Sequence, residues 1–292
     1  MTALDRNPGL GNDMAALPGL ETVTEQLAGP IAVLRAEQAR RQAGIEISRP
    51  AWKNLVFTGG PGTGRSRAAR AVAGIYHDLG LLTYGRLIEI AAADVTGTTA
   101  NETRTLVGEA IKPTGDLVMI SDAHTWRVLP DGGQHVLRCL YDTLTEARQA
   151  HRTDELAIIV AGQAAPLRDL LRSSPVLAAR FLAVIDFPGY APGQLTAIFT
   201  RLAAEAGFTL TPDATRKTAL VLAAAEAGRA SGNARLAVGL LAQARARQAL
   251  RLAATPEAQD LVTLSTMCAD DIPEYLRPED PPADDHRPGQ YL

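Results

Sequence analysis

Apolar positions recur at helical spacing from Thr22 to Ala43, and a short β-rich run, Asn54 to Thr58 (NLVFT), follows. That run ends in a glycine-rich turn, after which a helical pattern begins at about Ser66 and continues to Leu79. Four more short, mostly apolar runs come later: Arg86 to Ile90 (RLIEI), Leu117 to Ile120 (LVMI), Leu156 to Val160 (LAIIV) and Ala183 to Phe187 (AVIDF). The segments between them are long enough for crossover helices, so the pattern predicts a five-stranded parallel α/β sheet flanked by helices. Beyond Tyr190 the β signal stops, and alanine- and leucine-rich helical patterns occupy 192–206, 212–227 and 233–254. The predicted organisation is a flexible segment over 1–16, an α/β domain over 17–190, a small all-helical subdomain over 191–268 and an acidic, proline-rich tail over 269–292.

Composition narrows the function classes. The chain has 292 residues, is 46% hydrophobic and 21% charged, and carries a formal net charge of -3. That balance fits a globular protein and argues against nucleic acid as the main partner. The apolar runs are too short to span a bilayer and the N-terminus lacks an export pattern, so no membrane role and a cytoplasmic setting are expected. Cys139 and Cys268 are too few and too far apart for a disulfide framework or a zinc cluster, and they read as ordinary thiols. Trp52 and Trp126 read as packing or interface residues. His124, His135 and His151 show no metal-ligand spacing and read as surface or interface positions.

The glycine turn is the strongest chemical signal. Gly59-Gly60-Pro61-Gly62-Thr63-Gly64-Arg65-Ser66 keeps the spacing of the phosphate-binding G-x-x-x-x-G-K-[ST] loop, between a predicted strand and a predicted helix. Closely spaced glycines let backbone N–H groups turn inward around a phosphate, and the helix N-terminus adds its dipole. Ser66 supplies a hydroxyl for magnesium, and Arg67 follows it on the helix. Arg65 departs from the pattern: a planar guanidinium stands where a compact lysine is expected, which keeps the attraction for phosphate but alters its geometry.

With these residues in place, the chain resembles the AAA+ group that contains stage V sporulation protein K, the red-type Rubisco activases called CbbX and the C-terminal ATPase domain of EccA. The resemblance runs from about Leu17 to Ala254, through LPGLETVTEQL, VFTGGPGTGRS, LIEIAAADVTG, AIIVAGQ, PVLAARF, IDFPGYAPGQLTAIF and SGNARLAV. It implies an AAA+ P-loop NTPase core with a helical lid, binding ATP or ADP with magnesium and assembling as a ring, usually a hexamer, of identical or paralogous subunits that acts on a protein partner. It implies that Leu17, Gly19 and Leu20 lie near the adenine. Arg180 would be an arginine finger acting in trans on a neighbour's nucleotide, and Arg235 the sensor-two arginine of the lid. Without the resemblance, both arginines read as solvated surface positions. Gln163, after the LAIIV strand, lies where a sensor-one residue sits.

Several positions depart from the family's pattern. The family's Walker B strand ends in aspartate then glutamate, for magnesium and for the attacking water. Here Leu117 to Ile120 is followed by Ser121, Asp122 and Ala123. In one register Ser121 replaces the metal-binding aspartate and Asp122 replaces the base, one methylene shorter; in the other Asp122 is the metal residue and Ala123 replaces the base. Either register loses a carboxylate. In the pore-loop segment Asp94 to Thr103, Thr99 replaces an aromatic and Asn101 a glycine, which weakens a peptide grip. The expected function is therefore a hydrolysis-impaired nucleotide-binding subunit with a regulatory or structural role in a ring. The alternatives are an active remodelling ATPase and a nucleotide-free scaffold.

Overall fold

Every residue of the strand β1 (Asn54–Gly59) is buried, and so is every residue of β4 (Leu156–Gly162). Both are mostly apolar without alternation, the pattern of strands covered on two faces. The computed structural model describes residues 19–47, 51–112, 114–150, 156–228, 232–254 and 260–276. These form two compact units, one of residues up to 60 together with 64–188, the other of residues 61–63 together with those from 189 onward.

Among the described residues, the first unit runs from helix α1 (Glu21–Gln42) through β1, α2 (Arg65–Asp78), β2 (Leu87–Ala91), α3 (Ala100–Ala110), β3 (Asp116–Ser121), α4 (Gln134–Gln149), β4, α5 (Ala164–Arg172), a single turn α6 (Pro175–Ala178) and β5 (Phe181–Phe187). The sheet is parallel, in the order β2-β3-β4-β1-β5. Val56 pairs with Val160 on one side and Val184 on the other, and Ala91 pairs with Ser121. The edge strands β2 and β5 are only partly buried, which is why Glu89 and Asp186 are tolerated within them. One core lies around Val118, Ile120, Ile158 and Val160, with Leu137 and Leu140 of α4 and Leu167 and Leu170 of α5. Trp126 is 2% exposed in that core and its indole N–H donates to the Ala92 carbonyl at 3.1 Å.

Buried polar groups position the strands. Asn54 donates to the Arg180 carbonyl at 3.0 Å and accepts from the Ile158 N–H at 3.0 Å, so one amide ties β1 to β4 and to the start of β5. Asp116 is 1% exposed and receives two hydrogen bonds from Arg86, each 2.9 Å. The Tyr76 hydroxyl donates to the Lys53 carbonyl at 2.8 Å, and burial raises its pKa well above the usual value.

The second unit carries α7 (Pro192–Glu205), α8 (Pro212–Gly228), α9 (Ala234–Ala254) and α10 (Leu261–Ser265). It is not entirely helical: β6 (Thr209–Leu210) pairs in parallel with β7 (Thr266–Met267). Two residues per strand give no period to read, so the sequence pattern misses them. Asp271 and Ile272 are buried in this unit, and Arg251 donates to both oxygens of Asp271 at 2.8 and 2.9 Å. The described fold thus runs past residue 268, where the sequence reading begins its tail; residues 277–292 of that tail and the segment 1–16 lie outside the described residues.

Candidate functional site

β1 ends at Gly59, and the turn that follows delivers the chain to the N-terminus of α2. Gly62 and Gly64 have φ of 74° and 90°, in the left-handed region where a side chain is strained. A methyl group at Gly62 would also come within 2.5 Å of the Gly232 carbonyl oxygen. Gly64 caps α2, its carbonyl accepting from Ala68 N–H at 2.9 Å. The first turn of α2 contains Arg65, Ser66 and Arg67 and no acidic residue, so its N–H groups and dipole suit an anion.

Beside that turn stand the C-terminal ends of β2 and β3. Ser66 Oγ donates to Glu89 Oε1 at 3.0 Å, and Ser121 Oγ donates to the same oxygen at 2.8 Å. Asp122 follows with φ of 55°, a left-handed conformation that turns the chain off the strand into a 3₁₀ turn over Ala123–Val128. Arg65 Nη2 lies 3.7 Å from Asp122 Oδ1, with the arginine side chain 13% exposed and the aspartate 60%. His124 Nδ1 is 4.0 Å from the same Asp122 oxygen. Burial holds the His124 pKa below its usual value; Asp122 partly opposes this and Arg65 adds to it. A β-carbon at Gly162, the last residue of β4, would come within 3.0 Å of His124, so this end of the sheet is tightly packed.

His124 is no open surface position: its side chain is 16% exposed, beside Asp122. Glu89 is not among the candidates the sequence motifs give; its one signal there is a charge inside the apolar run Leu87-Ile88-Glu89-Ile90. The donor set Ser66 Oγ, Ser121 Oγ and Glu89 carboxylate consists of hard oxygens only, which fits magnesium and not a thiolate or imidazole metal.

Arg180, half-buried, packs within its own chain. Its guanidinium lies 5.1 Å from the Trp52 ring centre and 4.8 Å from that of Tyr141, and Nη2 donates to the Tyr141 hydroxyl at 3.1 Å. Arg148 stacks on Trp52 as well, at 4.3 Å, so one indole holds two cations. Gly19 has φ of 83° and Leu20 is buried at the start of α1, whereas Leu17 lies outside the described residues, as does His151. Gln163 is exposed at the N-terminus of α5. Thr99 caps α3, its hydroxyl accepting from Glu102 N–H at 3.2 Å, and Asn101 is exposed in that first turn.

Residues 61–63 group with the second unit. There Asn233, with φ of 51° and 1% exposed, donates to the Pro61 carbonyl and accepts from Tyr190 N–H, both at 3.0 Å. Ala234 N–H donates to the Gly62 carbonyl at 3.1 Å, and the Tyr190 hydroxyl donates to that of Thr63 at 3.0 Å. Arg235 follows at the start of α9, exposed, with its Cγ 3.3 Å from where a Gly62 β-carbon would sit.

Residues 191–282 match the AAA lid domain family. Protein CbbX of Cereibacter sphaeroides is 29% identical over 261 residues, covering 88% of this chain and 82% of that protein. The chloroplastic ribulose bisphosphate carboxylase/oxygenase activase of Cyanidioschyzon merolae is 30% identical over 260 residues, covering 88% of this chain and 87% of that protein. Among solved structures, the FIGL-1 AAA domain in complex with ADP superposes with a TM-score of 0.54 at 18% identity, over 89% of this chain and 82% of that one. A parallel five-stranded sheet, a glycine loop opening a helix and a matching lid agree with these likenesses: the chain belongs to the AAA+ ATPases, in the group of CbbX, stage V sporulation protein K and EccA.

Proposed function

We propose that this chain binds adenine nucleotide at the loop Gly59–Arg67, hydrolyses it slowly or not at all, and serves as a regulatory or structural subunit of a ring-shaped protein-remodelling assembly. The observation that carries this is the pairing of Arg65 with Asp122 at 3.7 Å. The cation of the phosphate loop is turned toward the carboxylate that follows the third strand, so each partly neutralises the other. Asp122 is also one methylene shorter than a glutamate, and Ser121 beside it is no carboxylate. Loss of a base or of charge stabilisation costs on the order of a hundredfold in rate.

Magnesium, when bound, would neutralise charge on the transferring phosphate, and the oxygens that suit it are Ser66, Ser121 and Glu89. Arg180 is assigned the role of a finger toward a neighbouring subunit, a contribution that survives loss of the subunit's own chemistry. The Cyanidioschyzon merolae relative is by name a ribulose bisphosphate carboxylase/oxygenase activase and EccA3 a secretion system protein, so the target is left as a protein partner. A cytoplasmic ring of this chain alone or with a paralogue is part of the proposal.

Calorimetric titration with ATP, paired with measurement of phosphate release, tests the reading. The expected result is binding with turnover far below one per second, the lower end of ordinary enzymes at roughly 1–1,000 per second. Turnover at that ordinary pace would make the chain an active remodelling ATPase instead, and absence of binding would make it a scaffold.

A further inference from the structure

Glu89 stands on the edge strand β2, exposed between Ile88 and Ile90, where a parallel sheet has no need of a carboxylate. Its Oε1 nevertheless meets hydroxyls from two other elements, Ser66 of α2 at 3.0 Å and Ser121 of β3 at 2.8 Å. The register explains the reach. Glu89 pairs with Met119, two positions before Ser121, and alternate residues of a strand share a face, so Glu89 and Ser121 project to the same side. The offset between them is about 6.6 Å along the strand, within the span of a glutamate leaning toward a short serine.

One carboxylate oxygen thus joins the serine of the phosphate loop to the serine that follows the run Leu117–Ile120. The two contacts are ordinary O–H···O hydrogen bonds that gather three hard oxygens, one of them charged, at one point, a donor set that would suit magnesium. Serine hydroxyls can turn their protons away and present lone pairs, so the same three oxygens can hydrogen-bond to each other or face a cation. The geometry points to Glu89 as the carboxylate that holds magnesium, directly or through one water, in place of an aspartate at position 121. The inference rests on the nucleotide reading above and adds to it the source of the metal's missing charge.

The test is the magnesium dependence of ATP binding, which is read without turnover. The full chain is titrated with ATP in magnesium and in EDTA, as wild type, Glu89→Gln and the double variant Glu89→Gln with Ser121→Asp. Wild type is expected to gain roughly tenfold in affinity from magnesium, a carboxylate's share of the metal site. Glu89→Gln, equal in size and still an acceptor for both serines, is expected to bind ATP more tightly in EDTA, since a negative charge beside the phosphate loop is gone, and to lose the gain from magnesium. The double variant, with a carboxylate returned from β3, is expected to recover it. A Glu89→Gln protein that keeps the full gain overturns the assignment, as does a wild type that binds ATP equally with and without magnesium. A wild type that binds ATP in neither buffer overturns the nucleotide reading itself. Glu89→Asp, which keeps the charge and shortens the reach, gives a second arm should Glu89→Gln fold poorly: it too is expected to lose most of the gain.

Discussion

Arg65 reaches from the first turn of α2 to Asp122 at the end of β3, its Nη2 3.7 Å from the aspartate Oδ1. If Arg65 meets phosphate, as proposed above, a carboxylate beside it competes for the same charge. Because Asp122 is 60% exposed, water screens the pair and its net worth is about 1 kcal/mol. Asp122→Asn removes both the competition and a negative charge that repels phosphate. ATP and ADP should then bind roughly fivefold more tightly, the equivalent of that 1 kcal/mol. Arg65→Ala should weaken binding, and in that background Asp122→Asn should have a smaller effect. Calorimetric titration of the four proteins checks this; equal effects in both backgrounds would show that the two residues do not compete.

The sheet is legible because its central strands carry the apolar runs LVF, LVMI and LAIIVA, and its loop because it keeps the spacing of a phosphate-binding motif. Ser121 and Asp122 can be seen to depart from a pattern, yet the contacts of Glu89 with Ser66 and Ser121 cannot, since they depend on a register between β2 and β3 that the sequence does not state. The burial of His124 is not legible either, since it depends on the packing of Gly162 of β4 against the turn that carries it. Thr99 shows the opposite limit. Read against an aromatic position it looked only like a loss, whereas the structure gives the hydroxyl a local task as the cap of α3. A side chain can leave one role and take another without any change that periodicity would register.

The pair Arg86 and Asp116 sets a pH dependence. Asp116 is 1% exposed at the start of β3, and the two hydrogen bonds from Arg86 hold its carboxyl below the usual carboxylate value, against the opposing effect of burial. In the unfolded chain it titrates near the ordinary value of about 3.9. Its folded pKa lies lower, so the unfolded state binds more protons and stability rises with pH. The contribution is complete above about pH 4 and is given up as pH falls through the folded pKa. Asp116→Asn should therefore flatten the acid limb of a stability profile measured by urea unfolding between about pH 5 and pH 2. At neutral pH it should lower stability by about 2 kcal/mol, since Arg86 remains solvated and only the charge-assisted bonds are lost. An unchanged acid limb would remove Asp116 as its source.

Asn233 is held by its backbone and by its burial at once. Its φ of 51° is left-handed, a conformation in which asparagine is among the few tolerated side chains, and only 1% of it is exposed. The amide orientation is fixed by its partners, because Tyr190 N–H needs an acceptor and the Pro61 carbonyl needs a donor, each at 3.0 Å. Asn233→Gly keeps the backbone freedom and loses the two hydrogen bonds, whereas Asn233→Ala loses the bonds and adds strain. Leaving two buried polar groups unpaired costs about 2–4 kcal/mol, and a β-carbon at positive φ adds about 1 kcal/mol. Asn233→Asp keeps the acceptor for Tyr190 but sets a carboxylate against the Pro61 carbonyl, so it should be no better than glycine. Urea unfolding monitored by far-ultraviolet circular dichroism should rank wild type above Asn233→Gly, and that above Asn233→Ala. If alanine proved as stable as glycine, the left-handed backbone would not be what selects asparagine, and the hydrogen bonds to Pro61 and Tyr190 alone would account for it.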